Sequence, residues 1–571
     1  MPLTPVQSPS FDRREMLARL RSETFDVLVV GGGITGAGVA LDAASRGLRT
    51  ALVERDDFAS GTSSKSSKMV HGGLRYLQQG EVRLVYEALH ERQRLRRNAP
   101  HLVRVLPFLI PILGRPSAGD STKSVVSRKI ARAMGSAMWM YDLTGGWRIG
   151  KLHRRLRKQA ALAHMPTMPA DRLLSAYLYY DAGADDARLV LTLLRTAAAH
   201  GATVVNACGV TGFLHDESGR VYGASVRADG ADVDVRATVV VNAAGVWSDD
   251  VRALDEGEHP DSIRPAKGVH LAVPWHKVRN DIAVVIPVPK DKRSLFVVPW
   301  GPKGDGTFEH TYVGTTDTDY DGPLDDPQCT SDDIAYVLRA LNASIDQSNG
   351  PITTDDITGV WAGLRPLVKR AASGRTADLS RRHTVTTNPH GVITVTGGKL
   401  TTYREMAEDT VDAVVDRLGR RDRCRTRRLK LVGAEGHRDG EPGTLDEHLR
   451  SRYGSLATEV QALIDADPSL GQPLVAGLPY VRAEALYAVR HEMALSIDDV
   501  LSRRTRARLF DRAAAVAAAA GVGQLLAPEL GWDDAQLQEQ IDSFCSLVVA
   551  EHVANNLTEA ELFAHGQGAD R

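Results

Sequence analysis

The chain alternates apolar blocks with glycine-bearing turns in an order that predicts its core. Phe25 to Val30 is a continuous apolar run and predicts a buried strand. Gly31 to Gly36 follows at once. Ala37 to Arg46 predicts a helix with small residues on the strand side, and Arg49 to Val53 predicts a second buried strand ending in Glu54. Strand, turn, helix and strand in about 30 residues make a βαβ unit. From Ser60 to Tyr76 the texture becomes polar and hydroxyl-rich, and Leu77 to Pro100 reads as an arginine-bearing helix. Helical periodicity returns from Asp186 to His200, and short strands follow at 202–214, 221–228 and 232–242. Residues 265–384 alternate strands and turns, the pattern of an antiparallel sheet. Val392 to Val395 is a strand, Gly397-Gly398 a turn, and Thr401 to Leu418 a helix. After the basic linker Arg420 to Lys430 the pattern is helical, with one long amphipathic period from Glu484 to Leu501.

This order predicts an α/β fold in three parts. A discontinuous Rossmann-like nucleotide-binding domain is assembled from 22–110, 185–264 and 385–420. An inserted antiparallel-sheet substrate domain takes 111–184 and 265–384, and a C-terminal all-helical domain takes 430–571.

Composition narrows the class. The 571 residues are 43% hydrophobic and 25% charged, with a net charge of −1. That is an ordinary globular composition, and it carries no global field for nucleic acid. The four cysteines, Cys208, Cys329, Cys424 and Cys545, form no CxxC, which argues against a disulfide scaffold and a zinc site. The first twenty residues lack an apolar segment of signal-peptide length. No window is expected to hold the ~18 apolar residues of a spanning helix, with Ala513 to Val522 the nearest approach. The expectation is a cytoplasmic protein, able to lie on a membrane without crossing it.

Three constellations carry chemistry. In the first, Gly31 permits the tight turn, Gly33 allows close approach to a pyrophosphate, and Gly36 lets helix and strand pack. The helix start offers N–H groups to phosphates. Glu54, about 20 residues on, can accept from a ribose hydroxyl, which favours FAD or NAD over NADP. The second, Thr62 to Lys68, concentrates hydroxyls that suit a second stretch of a long cofactor, and it runs straight into Met69-Val70-His71-Gly72-Gly73-Leu74-Arg75-Tyr76. The third, Gly397-Gly398-Lys399-Leu400-Thr401-Thr402-Tyr403-Arg404, lies between a strand and a helix, where N–H groups can face a developing anion.

Together these segments resemble the FAD-dependent glycerol-3-phosphate dehydrogenases. The carrying motifs are GGGITGAG, TSSKSSKMVHGGLRYL, DDARLVL (185–191), VNAAGVW (241–247), KGVH (267–270), GTTDTDY (314–320), GLRPL (363–367) and GGKLTTYR (397–404). The segment 487–506 is similar to the helical domain of the same family. The resemblance implies FAD as cofactor, sn-glycerol 3-phosphate as substrate, dihydroxyacetone phosphate as product and a membrane quinone as acceptor. It implies cofactor contacts at Gly31, Gly33, Gly36, Glu54, Thr62, Ser63, Ser66, Ser67, Lys68, Val210, Gly245, Trp247, Gly397, Gly398, Leu400 and Thr401.

A phosphate dianion calls for fixed cations. Arg75, Arg365 and Lys399 occupy the family's substrate-site motifs, and Arg381 is a further candidate. Arg365 precedes Pro366, which restricts its backbone. Tyr76 can hydrogen-bond the substrate or simply pack. A base that titrates near neutrality points to histidine. Of 18 histidines, His71 in HGGLRY is favoured as base, with His270 in KGVH as substrate-side partner.

His491-Glu492 begins a zinc motif that Leu495 breaks, so no metal is expected. The basic runs 92–97, 151–158 and 420–430 suit solvated faces or anionic lipid rather than nucleic acid. A soluble oxidase using O2 and an amine or amino-acid oxidase of the same superfamily remain as alternatives, and dimerisation is left open.

Overall fold

The computed structural model describes residues 11–74, 81–117, 120–125, 128–291, 293–348, 350–369 and 383–555, with side chains outside 115–134. Arg75, Tyr76 and Arg381 lie outside the described residues.

The apolar run Phe25–Val30 becomes the middle of a parallel sheet. Val29 pairs with Leu52 of Thr50–Val53 on one side and with Val241 of Ala231–Asn242 on the other. Thr203–Val205 and Ile393–Thr396 extend the parallel set outward. Both faces are covered, so the central strand is apolar without alternation, and Val27, Leu28 and Val29 are wholly buried. Helices Ile34–Ser45, Asp186–Ala199 and Tyr403–Arg417 pack in a row against it. The first half of Ala231–Asn242 folds back on Val221–Ala228, which pairs with Cys208–His215.

The second sheet has ten strands. Its order runs Thr318–Asp319, Ile263–Pro274, Phe308–Gly314, Ser294–Pro302, Ala283–Pro287, Arg104–Leu113, Leu173–Gly183 and Met69–Val70. Gly359–Val368 also pairs with Ile263–Pro274, and Arg154–Arg157 with Leu173–Gly183. Two features differ from the expected division. Met69–Val70 and the first seven residues of Arg104–Leu113, placed with the nucleotide-binding segment 22–110, belong to this sheet. Arg104–Leu113 is an apolar strand whose register sets Phe108 opposite Tyr179, a ring stack that only this sheet can bury. One pair, Ala283–Pro287 with Arg104–Leu113, is parallel rather than antiparallel, which the long intervening chain permits.

Alternation gives this sheet two unlike faces. One is aliphatic and packs on helix Ser331–Asn342. The other is aromatic, carrying Phe108, Tyr179, Tyr312 and Trp361, with Phe296 packed against them.

The C-terminal part is helical: Leu445–Tyr453, Ala457–Ala466, Arg482–Glu492, Arg512–Leu530 and Asp534–Ala554. The single period expected from Glu484 to Leu501 is broken. The helix stops at Glu492, Met493 turns left-handed at φ +54°, and a wide turn follows in which the Thr505 N–H donates to Val500 O at 2.8 Å. The break brings Glu492 and Arg504, both wholly buried, into one ion cluster, and no continuous helix could do so. Arg512–Leu530 also departs from expectation. It is a 19-residue helix long and apolar enough by composition to cross a membrane. Here Ala515, Ala519, Val522 and Leu526 form a buried stripe against its neighbours.

Candidate functional site

A cleft of about 340 Å³ opens at the C-terminal ends of the parallel strands, where such sheets bind ligands. Gly31, Gly33, Glu54, Thr62, Ser63, Val210, Gly245 and Trp247 line it, with Gly397, Gly398, Lys399 and Leu400 on the far wall. Gly33 ends the turn and starts helix Ile34–Ser45 without a side-chain cap, so the first helical donors face the cleft. Ser63 Oγ accepts one of them, from Ile34, at 2.9 Å. Gly36 does not line the cleft. A Cβ there would stand 1.9 Å from Gly31 O, so its role is the close approach of turn and helix.

Glu54 follows the strand Thr50–Val53 and lines the cleft. Its carboxylate accepts the Gly32 N–H at 2.6 Å and the Asp56 N–H at 2.9 Å. Desolvation outweighs both bonds and pushes its pKa up to about 7.

Register builds the opposite side. His270 pairs with Trp361, Gly268 with Gly363 and Ala266 with Arg365, so these side chains share one face of the second sheet. Gly268 makes room for the guanidinium: a Cβ there would meet Arg365 Nη2 at 2.5 Å. Arg365 donates to Asp317 Oδ1, Thr315 Oγ1 and Thr316 O, each at 3.1 Å. Pro366, the next residue, lines the cleft together with Lys399. His270 is buried and stacked on Trp361 at 4.9 Å. Burial, aided by Lys68 and Arg365, holds its pKa well below the usual imidazole value, so it is neutral. Its Nε2 shares a hydrogen bond with Ser67 Oγ at 2.8 Å, and its buried Nδ1 has no hydrogen-bond partner among the described residues.

The HGG turn is held by its backbone. The His71 N–H donates to Thr401 Oγ1 at 3.2 Å, and the Gly72 N–H donates to Asp181 Oδ1 at 3.1 Å. Arg92 and Tyr141 in turn donate to Asp181. The His71 ring lies 6.3 Å from Phe296 on the aromatic face. Thr401 therefore positions His71 and is not itself on the cleft wall.

The serine-rich loop needs a correction. Ser66, Ser67 and Lys68, expected as cofactor contacts, turn their side chains inward. Asp186, the wholly buried second acid of DDARLVL, accepts from the Ser66 N–H at 3.0 Å, from Ser66 Oγ at 2.7 Å and from Lys68 Nζ at 3.1 Å. Arg506 of the C-terminal turn donates to the same carboxylate and to Ser64 O. Lys68 lies over the Trp361 ring at 4.9 Å, and burial lowers its pKa to about 8. A buried carboxylate must be paired, and this loop supplies the pairs.

Residues 26–404 match the FAD dependent oxidoreductase family, and residues 424–537 match the C-terminal domain of alpha-glycerophosphate oxidase. Glycerol-3-phosphate dehydrogenase 2 of Mycobacterium tuberculosis is 41% identical over 549 residues, 93% of this chain and 89% of that protein. The human mitochondrial glycerol-3-phosphate dehydrogenase is 35% identical, over 94% of this chain and 75% of that one. A crystal structure of glycerol-3-phosphate dehydrogenase from Bacillus halodurans, complexed with FAD, superposes with a TM-score of 0.73 at 29% identity, covering 94% of this chain and 97% of that one.

The chain belongs to the FAD-dependent glycerol-3-phosphate dehydrogenases.

FAD is the cofactor of this dehydrogenase, and the cleft fits it. Trp247 Nε1 is buried on the cleft wall without a hydrogen-bond partner among the described residues, an orphan donor that a cofactor acceptor satisfies. Helix-start donors, the Glu54 carboxylate and the Gly397-Gly398 turn complete a set of groups for pyrophosphate, ribose and ring.

Sequence reasoning left some residues of the dehydrogenase without a role. Thr315 and Asp317 stand in the quoted GTTDTDY segment, yet only the fold shows them orienting Arg365. Trp361 stands two residues before GLRPL and becomes the platform under His270. Arg404, at the end of GGKLTTYR, is structural: it grips Glu91 with bonds of 2.7 and 2.8 Å.

Proposed function

We propose that this dehydrogenase oxidises sn-glycerol 3-phosphate to dihydroxyacetone phosphate and passes the electron pair to a quinone at a membrane surface. The observation that carries the substrate is the Arg365 fork, oriented by Asp317 and Thr315, with the next residue, Pro366, and Lys399 lining the FAD cleft. A rigid guanidinium and a point-charge ammonium are the groups that grip a phosphate dianion. FAD, when bound, would supply the acceptor for the C2 hydride. His71 takes the C2 hydroxyl proton, and neutral His270 holds the substrate by hydrogen bond from the sheet. Arg75, Tyr76 and Arg381 belong to the same proposed site. The dry aromatic face excludes water from the reacting carbon.

An exposed apolar patch supports the membrane reading. Leu143 is 77% exposed, and Trp139, Met140, Trp147 and Leu152 are exposed beside it. Lys151, Arg154, Arg155 and Arg157, next along the chain, are exposed as well. Exposed aromatic and aliphatic side chains followed along the chain by exposed cations suit the surface of an anionic bilayer. Four unpaired thiols agree with work on the cytoplasmic side.

The test is anaerobic. Adding sn-glycerol 3-phosphate should bleach the flavin band, and a quinone should restore it faster than O2 does. A band untouched by this substrate rejects the reading and points to an amino-acid oxidase. Preferential recovery in O2 favours a glycerol-3-phosphate oxidase, the alternative raised by the C-terminal domain match.

A further inference from the structure

Far from the Arg365 fork, three elements meet at the edge of the first sheet. These are the end of strand Cys208–His215, the last turn of helix Ser248–Glu256, and the turn at 388–391 between Thr384–Thr387 and Ile393–Thr396. Asp255 Oδ1 lies 2.8 Å from His215 Nε2 and 2.9 Å from His390 Nδ1. The three ligand atoms are within 4.8 Å of one another. The Asp255 side chain is 1% exposed, whereas the imidazoles are 34% and 39% exposed, so the cluster opens to solvent on the imidazole side. The carboxylate cannot swing. Asn388 Nδ2 donates to Asp255 Oδ2 at 2.5 Å, and Asn388 Oδ1 accepts the Val392 N–H at 2.9 Å.

Among the described residues no lysine or arginine forms an ion pair with Asp255. Its charge is met by the Asn388 amide from behind and by the two imidazole nitrogens that converge on Oδ1. Two such nitrogens and one carboxylate oxygen, with an amide orienting the carboxylate from behind, are the donor set of a borderline divalent cation. We propose that His215, Asp255 and His390 bind one zinc-class divalent cation, with water in the remaining position. The ion replaces the shared hydrogen bonds and takes both imidazoles in their neutral form.

Its role is to hold the cofactor wall. Asp250, Val251 and Leu254 of helix Ser248–Glu256 line the FAD cleft, and the helix end carries Asp255. The ion joins that helix to residues 40 and 135 positions away and so fixes both edge hairpins against it.

The test uses the FAD-loaded protein, freed of metal by a chelator and titrated calorimetrically with Zn²⁺. One equivalent should bind and raise Tm. His215→Ala and His390→Ala should each abolish that equivalent and speed FAD release, with wild-type secondary structure by circular dichroism. Asn388→Ala should weaken binding about 10- to 100-fold, as loss of an orienting partner does. No saturable uptake by the wild type, or one equivalent surviving in either histidine variant, overturns the proposal.

Discussion

Arg365 and Arg504 are both held by aspartates, but they stand in different surroundings. Arg504 is wholly buried. It grips Asp57 with two bonds of 2.6 and 2.8 Å and donates to Glu492 O. Burial alone would raise the Asp57 carboxyl, and Arg504 with Arg503 outweighs it and holds the group below the usual range. Arg365 keeps 26% of its side chain exposed and donates to Asp317, Thr315 and the Thr316 carbonyl. The same chemical pair therefore gives cohesion where no further anion can enter, and recognition where one can.

Removing each arginine should separate these roles. Arg504→Ala leaves Asp57 buried beside fewer cations and should cost about 3–5 kcal/mol of stability. Urea unfolding of the holoenzyme measures it, and a loss under about 1 kcal/mol would erase the distinction. Arg365→Ala should leave Tm and FAD content near wild type. It should lower kcat/KM for sn-glycerol 3-phosphate roughly 30- to 5,000-fold, equivalent to about 2–5 kcal/mol. If Arg365→Ala instead unfolds the protein at unchanged kcat/KM, it belongs with Arg504.

Glu54 sharpens the contrast from the anionic side. Among the described residues no cation pairs with it, and desolvation raises it from 4.5 to about 7. In the FAD-free protein its contribution to stability is full below pH 4.5 and is lost as pH rises through about 7. Ribose hydroxyls favour the carboxylate, so FAD binding releases a proton. Affinity should strengthen with rising pH up to about 7, by at most about tenfold per unit, and then level off. Glu54→Gln should flatten that slope, and an unchanged slope assigns the proton to another group. The smallest effect is expected at the exposed patch, where a side chain leaves water only in part. Leu143→Ser should weaken adsorption to anionic vesicles about tenfold or less, with turnover in solution unchanged. Equal adsorption would remove this patch from the membrane face.

The nucleotide cleft was legible because its signal is local. Gly31, Gly33, Gly36 and Glu54 sit in one strand–turn–helix–strand unit, and neighbouring residues determine their geometry. The outer half of the site was legible only in part. Lys68 reads as a cofactor contact because its neighbours are hydroxylic, yet its partner Asp186 is 118 residues away. The wide turn at 499–504 has no sequence period, because pairing of Arg504 with Asp57 across 447 positions sets its shape. The metal-like cluster was equally silent: His215, Asp255 and His390 share no spacing, and only sheet edges bring them together.

The span between Asp57 and Arg504 also bears on how the protein is made. Asp57 leaves the ribosome early, and the arginines that match its buried charge, Arg503 and Arg504, are made 446 and 447 residues later. Cofactor loading is thus expected to wait for the end of translation. Chains cut before residue 503 should carry little flavin when isolated, however complete their glycine loop, whereas a full flavin load on such fragments would show that the cleft matures during synthesis.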